Sequence, residues 1–136
     1  MTGHVLADTR SGIALDLPRI WQGRYQLSDS LLGSLAGVER ELTLRFIRAD
    51  STIEPQPMLV IRVVSGSVWN ALAPDSASAR YGTIVARDPA RAVAVRPAST
   101  NPLTPGTADA LGYDSLMMVV IQRPMRASLR PEPKRR

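Results

Sequence analysis

The sequence predicts an all-β domain: a small antiparallel barrel or a β-sandwich of seven to eight short strands, with a disordered basic tail at its C-terminus. Three observations predict it. Short runs with the period of two that marks a half-buried strand recur along the chain. Clusters of Gly, Pro, Asp and Ser separate these runs at strand-like intervals of roughly 10–20 residues. Residues 58–64 (M-L-V-I-R-V-V) and 115–122 (with L-M-M-V-V-I) are apolar enough to need cover on both faces. Closing the sheet supplies that cover and removes exposed edges, so a barrel is favoured over a sandwich.

Each element follows in order. Residues 13–17 read as a short strand or as an extension of the next one. In residues 20–27, Trp21, Gly23, Tyr25 and Leu27 share one strand face, while Gln22, Arg24 and Gln26 share the other. Pro18 precedes them, where a strand begins without losing a ladder bond. Ser28, Asp29 and Ser30 are good helix caps for Leu31, Leu32, Leu35 and Val38. Gly33 and Gly37 each cost about 1 kcal/mol in a helix, so 28–37 reads as a loop or one irregular turn.

Residues 38–48 form the clearest strand. Val38, Leu42, Leu44 and Phe46 face one way with Arg40 as the exception, and Glu39, Glu41, Thr43 and Arg45 face the other. Pro55 and Pro57 make 49–57 a loop. Residues 58–64 then pair through the turn Ser65-Gly66-Ser67 with a return strand over 68–72 carrying Trp69. After a polar loop at 74–79, residues 80–87 and 91–96 form a second hairpin around Asp88-Pro89. Pro97, Pro102, Pro105, Gly106 and Gly112 make 97–114 a long loop, with one helical turn at 107–111 that Gly112 caps. Residues 115–122 are the last strand.

At 136 residues the chain is one domain. It divides into a flexible N-terminus (1–12), a single β domain (13–122) and a Pro/Arg-rich tail (123–136). The tail holds Arg123, Arg126, Arg130, Lys134, Arg135 and Arg136 against Glu132. This accounts for the whole formal charge of +5, because the first 122 residues hold eleven bases and eleven acids.

Composition excludes several chemistries. Cysteine is absent, so there is no disulfide, thiolate nucleophile or Cys-ligated metal. The single histidine, His4, prevents a two-histidine metal site within the chain. Lys134 is the only lysine and lies in the tail, which removes a core Schiff-base or P-loop lysine. No G-x-G-x-x-G or G-x-S-x-G occurs. No cofactor or metal is expected, and the inventory favours a protein that performs no catalysis. No run reaches the ~18 apolar residues of a membrane helix. No signal peptide is visible, so the cytoplasm is the default compartment; export follows if the natural start lies upstream.

Two groups of residues are candidate sites. Trp21, Tyr25, Arg62 and Trp69 would line or gate the interior of an open barrel, with Arg62 available to clamp an anion. The competing reading makes the aromatics core and Arg62 a surface residue. Trp21 with Gly23 on an early strand resembles the opening strand of lipocalin-like barrels, with the two residues in reversed order and over five residues. It gives the expected barrel a lipocalin-like general shape, not a family. In the tail, Arg126, Arg130, Lys134, Arg135 and Arg136 would contact nucleic-acid phosphates or an acidic partner, without base stacking because the tail has no aromatic residue.

Lesser candidates are Arg40 and Arg45, and the pair Glu39 and Glu41, about 7 Å apart on a strand. The 97–114 loop, with Ser99, Thr100, Asn101, Thr104, Thr107 and Asp109, reads equally as a lid, a binding loop or a variable connector. The leading expectation is non-catalytic binding of a small molecule or partner. An interaction protein working through its tail and a structural subunit of an assembly are the alternatives.

Overall fold

The structure, a computed structural model, describes residues 4–8, 12–30, 37–47, 56–98, 100–122 and 126–129. The elements are β1 (His4–Asp8), β2 (Ile13–Leu17), a 3₁₀ turn (Arg19–Trp21), β3 (Tyr25–Ser30), β4 (Val38–Phe46) and β5 (Gln56–Ser65). There follow α1 (Gly66–Asn70), α2 (Pro74–Tyr81), β6 (Thr83–Arg87), β7 (Arg91–Pro97), α3 (Ala108–Gln122) and β8 (Arg126–Leu129). The strands form two antiparallel sheets, ordered β3-β4-β5-β7-β6 and β1-β2-β8. The chain is mostly strand, as its alternation predicts. The larger sheet is open, with β3 and β6 at its edges, so there is no closed barrel.

β5 lies at the centre, paired with β4 and β7. Its apolar run is explained by burial on both sides. Leu59, Ile61 and Val63 join Leu42, Leu44, Phe46, Val93 and Val95 on one face. Ile13, Leu15 and Leu17 of β2, with Tyr113, Leu116 and Met117 of α3, cover that face. On the other face Val64, Ala92 and Ala94 pack against Trp69, Ala77 and Tyr81 of α1 and α2. The small sheet and α3 thus lie on one side of the large sheet, and α1 and α2 on the other.

A register shift between Val38 and Arg40 leaves Glu39 unpaired in the ladder. A bulge of this kind swaps the faces beyond it. Val38 therefore packs with the α1–α2 cluster, although its parity matches Leu42. A second shift, between Leu44 and Arg45, makes Met58 the extra residue of β5, and both Met58 and Leu59 are fully buried.

Three expected elements differ. Residues 68–72 are not a return strand: Trp69 lies on α1, and the partners of β5 are β4 and β7. The polar stretch after Ala73 is a helix, α2, which begins with Pro74 in its first turn and Asp75 beside the amide-rich helix end. The last apolar run, 115–122, belongs to α3. Thr107 Oγ1 accepts the Ala110 amide at 3.1 Å and caps that helix.

Gly112 does not end a helix; it sits inside α3, where a Cβ would stand 3.2 Å from Arg24 Nη2 and 3.4 Å from Phe46 Cζ. At this glycine the helix passes close to Phe46 of β4. Gly82 does end one: at φ +119° it turns α2 into β6, and a Cβ there would lie 2.5 Å from the Val95 carbonyl oxygen.

Both termini take part in the fold where the sequence predicts flexibility. β1 pairs with β2 over His4–Asp8 and sends Leu6 onto the core. In the expected disordered tail, β8 pairs with the opposite side of β2, and Arg126 stands in register with Asp16. Strand formation there fits the sequence R-A-S-L, which is free of proline. Among the described residues, no helix is long and apolar enough to cross a membrane.

Candidate functional site

The four residues expected to line one interior fall on opposite sides of the large sheet, Trp21 with Tyr25 on one and Arg62 with Trp69 on the other. Trp21 is fully buried in the core beneath α3, and its indole Nε1 donates to the Leu116 carbonyl at 2.9 Å. It lies on the 3₁₀ turn, not on a strand, because its amide bonds back to Pro18 and its carbonyl accepts from Arg24. Tyr25 begins β3 and sets its ring 6.4 Å from that of Trp21. Burial raises the Tyr25 pKa above the ordinary tyrosine value. Trp69 lies on the far side of the large sheet, with its ring 5.9 Å from Tyr81.

Arg62 also faces that far side. Its Nε pairs with Glu41 Oε2 at 3.2 Å, and its Nη1 donates to the Tyr81 carbonyl at 3.1 Å. It therefore ties β5 to β4 and to the end of α2. The charge in the apolar run finds a carboxylate, as burial demands. This also separates Glu41 from Glu39, which stands exposed at the bulge. Arg45 Nε donates to Ser28 Oγ at 3.1 Å across β3 and β4. Arg130, Lys134, Arg135 and Arg136 lie outside the described residues. Arg126 is placed only through its backbone in β8.

A different site forms where β5 begins and β7 ends. A cleft of about 450 Å³ opens there. The residues around it include Met58, Leu59 and Val60 of β5 with Pro57, Pro97 and Pro102, and the side chains of Met58 and Leu59 are themselves fully buried. Gln56, Arg96, Ala98 and Thr100 complete the lining. The two strands meet in register, Leu59 with Pro97 and Val60 with Arg96. The Ala98 amide donates to the Met58 carbonyl at 2.8 Å, which extends the pairing past Pro97.

Two contacts from α3 brace this cleft. Tyr113 donates its hydroxyl to the Pro57 carbonyl at 2.6 Å. Burial, with a smaller contribution from the Asp114 charge, holds the Tyr113 pKa above its ordinary value. Asn101 Nδ2 donates to the Ala110 carbonyl at 3.0 Å and to Asp114 Oδ1 at 2.9 Å, while its Oδ1 accepts the Leu103 amide at 2.9 Å. Leu103 is buried in the core. The segment that reads as a lid, a binding loop or a connector is thus pinned to α3 around Asn101.

Arg96 supplies the cationic group of the cleft. Its Nη2 donates to the Ser78 carbonyl at 3.2 Å and to the Ala79 carbonyl, at the end of α2. With Arg62 on Tyr81, two strand arginines satisfy terminal carbonyls of one helix, where the helix dipole favours positive charge. Among the described residues, no group of three or more His, Cys, Asp or Glu is arranged to hold a metal ion.

Sequence reasoning missed the cleft. Its signal was the pair of prolines at the ends of two apolar strands, Pro57 and Pro97, read as loop markers 40 residues apart. No family model matches the chain, and no curated protein or solved structure shows significant similarity to it.

Proposed function

We propose that the protein is a non-catalytic binding module that takes a small molecule in the cleft between the ends of β5 and β7. One observation carries this reading: the cleft is a preformed, largely apolar concavity of about 450 Å³ with a few polar groups at its rim. That volume falls within the range of small-molecule sites, about 300–1,000 Å³. Three prolines stiffen its walls, so little order has to be gained on binding.

The test is native mass spectrometry of the protein from its own host, followed by denaturation of the same sample. A small-molecule mass released on denaturation supports the reading. In an Ala98→Trp variant, which fills the cleft, that mass should be missing. A bare chain in both samples, or a ligand that survives Ala98→Trp, refutes the site.

The charge distribution supports a second reading, contact with nucleic acid or an acidic partner through the tail. Residues 123–136 carry the entire formal charge of +5. Electrostatic binding of this kind weakens with salt, with a slope near −0.9 per phosphate on duplex DNA. Removing residues 130–136 should abolish it and leave occupancy of the cleft unchanged.

A further inference from the structure

Resting on the small-molecule reading, we infer that the ligand is an aliphatic carboxylate, its chain on the Val60 floor and its acid on Arg96. The inference follows from what the cleft offers and what it lacks. None of the described lining residues is aromatic, so among them there is no ring for stacking a nucleobase or sugar and none for a cation. None of the described lining residues is acidic, so a cationic ligand finds no countercharge among them. Its accessible apolar side chains are those of Val60, Ala98 and the three prolines. A flexible hydrocarbon body fits such a surface without needing directional contacts.

The cation is placed for a single acid. Both Arg96 bonds to the end of α2 use Nη2, which leaves the separate N–H donors of Nε and Nη1 to make a single charge-assisted bond to a ligand. Those helix carbonyls also hold the side chain in place, so less rotamer freedom is lost when an acid binds. Arg96 stands in register with Val60, so the charge and the apolar floor are adjacent. The volume matches the ligand size: at about 30 Å³ per water-sized group, it holds roughly 15 heavy atoms, a medium-chain acid.

The test titrates the full chain calorimetrically with decanoate, decanol and decyltrimethylammonium at low salt. All three share one chain and differ in head-group charge. Decanoate should bind at least about tenfold more tightly than decanol, the scale of one charge-assisted hydrogen bond, and the cation most weakly. In Arg96→Met, decanoate should fall to the affinity of decanol while decanol is unchanged; Arg96→Lys should restore part of the difference. Equal binding of acid and alcohol overturns the carboxylate assignment and leaves the small-molecule site standing. No binding by any of the three also overturns the assignment. An empty native spectrum as well overturns the site. The comparison on the native chain stands even if Arg96→Met fails to fold.

Discussion

Replacing Trp21 with phenylalanine separates a core role from a ligand-lining one. The indole is fully buried and bonds through Nε1 to the Leu116 carbonyl of α3. Phenylalanine keeps an aromatic ring and loses three ring atoms and the donor. The lost atoms, at about 0.8 kcal/mol per buried carbon-sized group, amount to roughly 2 kcal/mol. The lost hydrogen bond adds about 1 kcal/mol. The expected cost is therefore about 3 kcal/mol, or a fall of roughly 10 °C in Tm for a chain of this length. Urea unfolding followed by circular dichroism measures it, and the midpoint should drop while the slope is unchanged. A cost below about 1 kcal/mol, the range of ordinary surface substitutions, would refute the placement of Trp21 under α3. The variant should also keep whatever small molecule the native protein carries, because Trp21 is not among the residues lining the cleft.

Gly82→Ala should destabilise by at least about 2 kcal/mol in a thermal melt, since both the φ of +119° and the Val95 carbonyl oppose a side chain. Gly112→Ala should do the reverse and stabilise by about 0.5 kcal/mol. It gains helix propensity of up to about 1 kcal/mol, and the nearest atom, at the free end of Arg24, can move aside. Tyr113 and Tyr25 are raised above the ordinary value of 10.0, so the folded state favours their neutral forms. The stability they contribute is complete below that pH and is lost as the pH rises through their raised values. Unfolding free energies measured across the alkaline range should fall accordingly, and Tyr113→Phe should flatten the decline.

The strands of the large sheet were legible because their alternation is local. β4 reads directly from Leu42, Leu44 and Phe46, and β7 with its Asp88 turn reads just as plainly. The central place of β5 also reads from composition, since an apolar run implies cover on both faces. The helices were hidden for different reasons. α3 is apolar nearly all round, so L-M-M-V-V-I carries no helical stripe, and its β-branched residues suggest a strand. The cap at Thr107 was present, but Gly112 looked like a stop. The helix continues through that glycine onto Phe46, and no local pattern reveals a neighbour 66 residues away. α2 looked like a loop because its residues are small and polar. Trp21 was assigned to a strand because W-Q-G-R-Y alternates, although Gly23, at φ +74°, makes a turn there. The cleft was beyond the sequence because it exists only once the ends of β5 and β7 pair, with Leu59 opposite Pro97.

The strand β2 is held on one side by β1 and on the other by β8, so residue 13 and residue 129 are neighbours. During synthesis the large sheet can pair strand by strand as the chain emerges, whereas the second flank of β2 arrives only after every strand of that sheet. Until then Ile13, Leu15 and Leu17 must wait on a two-stranded ribbon, a form that is marginal in water on its own. The finished sheet works as a clasp between β2 and a strand made after the whole large sheet. A product cut short before Arg126 would leave one edge of β2 open, and open strand edges are what quality-control proteins and aggregates recognise.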